Sequence, residues 1–245
     1  MLTIDLNADL GEHPGTNLDE QIMPYLSSCN VACGGHIGDE ASVRQTVRLA
    51  KQHDVAAGAH PSYPDPENFG RKILSMQPGD LATSIKEQIN LVKRVCEEEE
   101  VKLHHVKPHG ALYNHAAANQ FISELILKVI EELVPGVYWM GLAGSISEAV
   151  AKRHGYSFIA EGFADRQYEP DGSLRSRTLD GAVLQKTEVL KQVEELAVNN
   201  RVNAGDWLTL NVQSICLHSD TEGAVTLAKE IHEHLVDKGI KITAV

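Results

Sequence analysis

The feature that most constrains the fold is a regular alternation of short apolar segments with longer amphipathic ones. The short runs are rich in apolar or β-branched residues, as strands are, and they cover residues 2–6, 30–32, 55–59, 105–107, 137–142, 158–160, 214–217 and 241–245. Between them apolar residues recur at three- and four-residue steps, which predicts helices over residues 40–53, 81–100, 120–133, 182–199 and 222–238. Strands that alternate with helices favour a parallel sheet covered by helices.

Seven or eight such strand–helix units predict an α/β fold whose parallel strands close into an irregular, TIM-like (β/α) barrel. An open doubly wound sheet is the alternative topology. The length of 245 residues suits one barrel domain, and no linker or low-complexity tract divides the chain. We therefore predict a single (β/α)-barrel domain over residues 1–245.

Charge and composition restrict the partners. A formal net charge of −12 argues against nucleic acid, because the surface repels phosphate backbones. Met1 leads directly into the first predicted strand without a basic, apolar leader, and no apolar run is long enough to span a membrane. Four cysteines are too few for a disulfide scaffold. We expect a cytoplasmic protein that acts on a small molecule, with neither nucleic acid nor a membrane as partner.

Polar side chains cluster around the ends of the first two predicted strands. In a parallel barrel the loops after the strands converge on one end and form the active face. Asp5, Asn7 and Asp9 alternate along the chain and so share one strand face, and Glu12 follows. A polar stripe inside a barrel is costly unless it binds something. Asp39 is a further candidate, although its position equally suits the N-cap of the next helix.

Histidines follow several predicted strands directly, and they are His36, His60, His109 and His218. Imidazole titrates near neutral pH and is a common metal ligand. His109 comes two residues after Lys107, which lies in an apolar strand. We therefore expect Lys107 to be buried, and burial lowers the pKa of a lysine. Asp220 shares a strand face with His218 and is expected to orient its ring.

Arginines follow the third and sixth predicted strands. Arg71, Arg166 and Arg177, with Asp165 beside them, suit an anionic ligand, and exposed salt bridges are the alternative role. The chain carries no phosphate-binding glycine loop that ends in Lys-Ser/Thr, no dinucleotide-binding glycine pattern, no His-Glu-x-x-His and no serine nucleophile elbow. Hydride transfer and a serine acyl-enzyme therefore have no support in the sequence.

Taken in order, these motifs resemble the LamB/YcsF family, whose better-defined members are subunits of bacterial 5-oxoprolinase. The motifs cover residues 5–12, 29–39, 58–65, 69–71, 106–114, 161–166, 173–177 and 216–220. The resemblance implies a barrel related to polysaccharide deacetylases and glycoside hydrolases. It also implies an ATP-dependent hydrolase that converts 5-oxo-L-proline to L-glutamate, with ATP and its Mg²⁺ and with partner subunits B and C.

For such a reaction we expect the lactam carbonyl to be activated by phosphorylation and then opened by water. The predicted catalytic residues are Asp9, His60, Lys107 and His109. The residues predicted to bind substrate or phosphate are Asn7, Glu12, His36, Asp39, Arg71, Asp165, Arg166, Arg177, His218 and Asp220.

Two other functions stay open. The first is a metal-dependent deacetylase or amidohydrolase, for which the imidazole and carboxylate ligands would be Asp9, His36, His60 and His109. The second is a non-catalytic small-molecule binding subunit whose chemistry lies in its partners.

Overall fold

The computed structural model describes residues 1–220 and 223–245. Its strands are β1 (Thr3–Leu10), β2 (Ser28–Ala32), β3 (Ala56–His60), β4 (His105–Val106), β5 (Tyr138–Leu142), β6 (Phe158–Phe163), β7 (Arg201–Asn203), β8 (Trp207–Thr209), β9 (Ser214–Leu217) and β10 (Lys241–Ile242). Seven of them pair in parallel in the order β1-β2-β3-β4-β5-β6-β9, and β9 pairs with β1 to close the barrel. The predicted barrel is confirmed, and the open sheet is wrong.

Two further strand pairings do not belong to the closed seven-stranded barrel. β10 runs parallel to the first residues of β1, with Thr3 opposite Lys241 and Ile4 opposite Ile242. β7 and β8 form a small antiparallel hairpin between the last two barrel strands, which the sequence pattern did not predict.

The helices surround the barrel and are α1 (Leu18–Ile22), α2 (Glu40–His53), α3 (Pro78–Glu98), α4 (Gly110–Ala118), α5 (Gln120–Leu133), α6 (Ile146–His154), α7 (Lys186–Asn199) and α8 (Ala224–Asp237). Two 3₁₀ turns cover Met23–Tyr25 and Pro66–Asn68. The predicted helix over 222–238 begins outside the described residues, and its described part is α8. Across residues 1–220 and 223–245, every helix falls short of the length and apolar composition that crossing a membrane requires.

Strand β1 is longer than predicted and contains the polar residues of this segment. It continues to Leu10, so Asn7 and Asp9 belong to the strand together with Asp5, which agrees with the predicted shared strand face. They hydrogen-bond across the barrel interior, whereas Leu6, Ala8 and Leu10 are fully buried in the apolar core. The barrel wall thus separates an apolar outer layer beneath the helices from a polar interior.

The cysteines belong to the packed interior. All four are free and buried. Burial raises the pKa of Cys33 to about 12, so the thiol stays protonated at neutral pH. Cys29 and Cys33 are therefore packing residues of the core.

Candidate functional site

The lowest polar layer of the barrel interior is centred on Asp5. Its carboxylate accepts hydrogen bonds from the hydroxyls of Ser27, Ser28 and Ser214. Burial raises the pKa of Asp5, because the charged form loses its water, and the three hydroxyls offset part of that rise.

The next layer is an amide and imidazole relay that fixes Asp9 from below. Asn30 donates through Nδ2 to Asn7 Oδ1 and to Asp9 Oδ1, both at 2.8 Å. Its Oδ1 accepts from His105 Nε2 at 2.6 Å. Burial lowers the pKa of His105 well below its usual value, so the ring is neutral at neutral pH. The Asn30 amide therefore has one orientation, and one oxygen of Asp9 is committed to the relay.

Lys107 lies above this relay between two carboxylates. Its Nζ lies 3.0 Å from Asp9 Oδ1 and 2.8 Å from Glu161 Oε1, and its side chain is 2 % exposed. Burial alone would lower the pKa of Lys107, but the negative charges of Asp9 and Glu161, with Cys216 nearby, hold it well above its usual range. The predicted burial is confirmed, and the predicted lowering of its pKa is wrong. Lys107 is therefore an ammonium at neutral pH and does not serve as a base.

Glu161 and Tyr113 belong to this site, although neither is among the predicted site residues. Glu161 is fully buried and accepts hydrogen bonds from Asn7 Nδ2 at 2.9 Å and from the Tyr113 hydroxyl at 2.8 Å. Burial, and then the neighbouring carboxylate, raise the pKa of Tyr113 well above its usual value. The available signal was a glutamate inside an apolar strand, which is the same anomaly that identified Lys107.

Asp9, Glu12, His60 and His109 form a four-residue cluster at the top of the barrel interior, and all four are buried. His60 Nε2 lies 3.3 Å from Asp9 Oδ2 and 3.0 Å from His109 Nδ1, and that Nδ1 lies 3.3 Å from Glu12 Oε1. Burial would raise the pKa of Asp9, yet His60 and Lys107 hold it well below the usual value. Asp9 is therefore ionised.

Backbone carbonyls orient the two imidazoles of this cluster. His60 Nδ1 lies 2.7 Å from the carbonyl oxygen of Lys107, and His109 Nε2 lies 3.0 Å from that of Phe69. A carbonyl oxygen only accepts, so both of these ring nitrogens carry hydrogen. Burial lowers the pKa of His109 well below its usual value, which leaves a neutral ring with a lone pair on Nδ1.

His36 supports the cluster from outside it. Its ring stacks on that of His109 at 3.7 Å between centroids and 3° between planes, and its Nε2 donates to Glu12 Oε1 at 2.8 Å. Of the metal ligands expected from the sequence, Asp9, His60 and His109 converge. Glu12, and not His36, supplies the fourth donor atom that meets them.

A cavity of about 960 Å³ opens above the cluster at the carboxyl ends of the strands. Most of the predicted site residues line it: Asp9, Glu12, His60, Arg71, Lys107, His109, Arg166, Arg177, His218 and Asp220. Asn7, His36 and Asp165 lie behind the lining, where they hold lining residues. The strand-end histidines and Lys107 therefore do meet at one rim of the barrel.

Two predicted placements need correction. Asp165 Oδ1 lies 2.8 Å from His218 Nδ1, so Asp165 orients this ring, and not Asp220 as predicted. Asp39 lies away from the cavity and is exposed, and its side chain accepts from the backbone N–H of Ser42 at 2.9 Å. It is the N-cap of α2, so it does not belong to the binding residues.

The arginines at the cavity mouth have different surroundings. Arg71 and Arg177, from loops after β3 and β6, both donate to Asp220 Oδ2. Arg166 donates to the carbonyl oxygens of Ala182 and Arg175, and burial lowers its pKa to about 10. A ligand in the cavity can therefore reach Arg71 and Arg177 by displacing the carboxylate of Asp220. Arg166 has the further role of holding the loop after β6 together.

Comparison with known proteins gives a consistent assignment. Residues 4–245 match the profile of the LamB/YcsF family. The chain is 42 % identical over 247 residues to a protein from Histophilus somni (strain 129Pt) named as the A subunit of 5-oxoprolinase, covering 100 % of this chain and 99 % of that protein. A protein of the same name from Bacillus cytotoxicus is 42 % identical over 250 residues, with the same coverage.

A solved structure agrees with the fold over its whole length. The crystal structure of a lactam utilization protein from Thermus thermophilus superposes with a TM-score of 0.92 at 32 % identity, and the match covers 100 % of both chains.

Proposed function

Because this chain belongs to the LamB/YcsF family, we propose that it is the A subunit of an ATP-dependent 5-oxoprolinase. In this proposal it hydrolyses the lactam of 5-oxo-L-proline to L-glutamate together with partner subunits B and C, using ATP and Mg²⁺. Relatives of that name share 42 % of its residues over the whole chain. The observation that carries the proposal is the buried set Asp9, His60, Lys107 and His109 at the floor of a 960 Å³ cavity.

The charges around the cavity favour the mouth as the position of the substrate carboxylate. Lys107 already faces two buried carboxylates, Asp9 and Glu161, so its charge is neutralised. Arg71 and Arg177 share the single carboxylate of Asp220, which leaves one positive charge in excess among the three. A guanidinium also binds a carboxylate through two hydrogen bonds. We therefore assign the substrate carboxylate to the two arginines.

The lactam ring would then reach the floor of the cavity. Phosphorylation makes the lactam oxygen a leaving group, and water adds to the activated carbon. The ring C–N bond breaks, the nitrogen leaves with a proton, and a second water releases phosphate. The water molecules are activated within the cluster of Asp9, His60 and His109. Lys107 keeps Asp9 ionised and fixes its position.

The test is glutamate and phosphate release by the chain combined with subunits B and C. Lys107→Ala and His109→Ala are expected to lower the rate by about a hundredfold or more, the usual cost of losing charge stabilisation or acid–base chemistry. His154→Ala, which changes an exposed histidine on α6, serves as control and is expected to keep the rate. Near-normal turnover in both site variants refutes the proposal.

A non-catalytic binding role makes a different prediction for the same variants. If the chemistry lies in the partners, substitutions at the floor change substrate affinity but leave turnover at saturation intact. Co-purification with B and C reports whether assembly survives. Loss of turnover in an intact assembly at saturating 5-oxoproline supports catalysis.

A metal-dependent amidohydrolase is a second candidate function, because the Asp9, Glu12, His60 and His109 donors converge. Ring opening by the isolated chain with a divalent cation, and without ATP or partners, would favour it over the first proposal.

A further inference from the structure

The ligand atoms of Asp9, Glu12, His60 and His109 converge on one buried space, within 4.8 Å of one another. His60 donates from Nδ1 and His109 donates from Nε2, each to a backbone carbonyl. The remaining nitrogens, His60 Nε2 and His109 Nδ1, face each other at 3.0 Å. Because the other nitrogen of each ring already donates to a carbonyl, these two facing nitrogens are the ring atoms available to a further partner. Asp9 Oδ2 and Glu12 Oε1 add further acceptors to the same space.

Two carboxylate oxygens and two imidazole nitrogens that face one another form a set of ligands for a cation. We propose that Asp9, Glu12, His60 and His109 bind one divalent transition-metal cation, with Zn²⁺ as the best match. Neighbouring donor atoms are separated by 3.0, 3.3, 3.3 and 3.9 Å. A tetrahedron with metal–ligand bonds of about 2.1 Å has edges of about 3.4 Å. The four distances differ from that edge by at most about 0.5 Å, and all six distances between the donor atoms are within 4.8 Å, so the donors can close on a tetrahedral cation.

The donor types set the class of cation. Two imidazole nitrogens and two carboxylate oxygens suit Zn²⁺ and its transition-metal neighbours. Ca²⁺ and Mg²⁺ prefer oxygen ligands alone. The two carboxylates neutralise the double charge, so the metal-bound cluster gains no net charge in a buried site.

Contacts outside the cluster hold the ligands in place, as they do in established metal sites. The carbonyls of Lys107 and Phe69 fix the two rings. On Asp9, Oδ1 accepts from Lys107 and Asn30, which leaves Oδ2 for the cation. Glu12 is held by His36 Nε2 at 2.8 Å. The donors are thus preorganised by other parts of the barrel.

The cavity supplies an entry path for the cation. Asp9, Glu12, His60 and His109 all line it, so a cation bound there would also face a substrate or a water molecule. A bound cation polarises a carbonyl or lowers the pKa of a coordinated water. The cluster is part of the site on which the proposed function rests, and a cation there gives His60 and His109 the role of ligands instead of proton acceptors.

The test is metal binding by the full chain without substrate. Protein stripped with a chelator is titrated with Zn²⁺ in a calorimeter, and the bound metal is counted by elemental analysis. We expect one equivalent per chain. His60→Gln and Asp9→Asn are expected to weaken binding by more than about a hundredfold, whereas His36→Gln, which only orients Glu12, costs about tenfold to a hundredfold.

His218→Gln is the matched control, because His218 lines the same cavity outside the cluster. Its Zn²⁺ affinity is expected to equal that of the unmodified chain. Unchanged stoichiometry and affinity in His60→Gln and Asp9→Asn overturn the inference, and so does substoichiometric binding by the unmodified chain. In the latter case a proton shared by the two rings takes the place of the cation.

If the variants fail to fold, a measurement on the unmodified chain still tests the metal site. Co²⁺ bound in the cluster is expected to give the intense visible absorption of a four-coordinate ion and to be displaced by one equivalent of Zn²⁺. A weak six-coordinate spectrum contradicts the proposed geometry. Metal binding without glutamate production by the assembled subunits would contradict only the proposed function, and glutamate production by a chain that binds no Zn²⁺ would contradict only the metal site.

Discussion

Removing the ammonium of Lys107 is expected to destabilise the fold as well as the reaction. Its Nζ lies within 3.0 Å of the Asp9 and Glu161 carboxylates, whose side chains are 9 % and 0 % exposed. Lys107→Met keeps the volume but leaves these two charges unpaired. Breaking a buried ion pair costs about 3–5 kcal/mol, and the near-isosteric methionine limits any cavity cost.

The double variant separates charge from packing. Lys107→Met combined with Glu161→Gln removes one of the two orphaned charges, so it is expected to be more stable than Lys107→Met alone by more than about 1 kcal/mol. The assay is equilibrium urea unfolding. With a slope of about 3 kcal/mol/M, the single variant shifts the midpoint down by roughly 1–1.7 M.

Lys86→Met is the matched control, since Lys86 pairs with Glu132 on the surface, where their side chains are 33 % and 54 % exposed. It is expected to cost at most about 1 kcal/mol. Two results would contradict the role of unpaired charge in the loss of stability. The first is that Lys107→Met lowers the free energy of unfolding no more than this control does. The second is that adding Glu161→Gln to Lys107→Met lowers it further.

Three other predictions follow from the site and its surroundings. Asp39→Ala is expected to lower the free energy of unfolding by about 1 kcal/mol through loss of the α2 cap, with turnover unchanged; lost turnover would return Asp39 to the site. Arg177→Ala is expected to raise KM for 5-oxoproline about tenfold or more while kcat changes little, and an unchanged KM in steady-state assays would remove the anion subsite. Stability should fall with acidification, because burial holds the pKa values of His105 and His109 well below 6.5 in the folded state. The unfolded state therefore binds more protons below about pH 6.5, and stability drops by up to about 1.4 kcal/mol per pH unit for each ring; urea midpoints that are flat from pH 8 to 5.5 would contradict this sign.

The fold was largely predictable because the patterns that indicate strands and helices are local features of the sequence. Strand and helix periods repeat along the chain, and parallel strands joined by helices have few ways to cover their apolar faces. The elements that the sequence pattern did not predict are short. Helices α4 and α6 have nine residues each, and the β7–β8 hairpin has three residues per strand. Such lengths show too few periods to identify from the pattern.

For the site, the sequence alone determined that the strand-end histidines and a buried lysine would share one rim of the barrel, because the carboxyl ends of parallel strands converge. The tertiary structure decided which groups touch. It placed Asp9 and Glu161 against Lys107, which reversed the predicted shift in its pKa, and it brought Glu12 into the donor cluster where His36 was expected. Protonation and ligand geometry depend on distances of about 3 Å between groups far apart in the chain. A linear pattern carries residue types and periods, but it does not contain those distances.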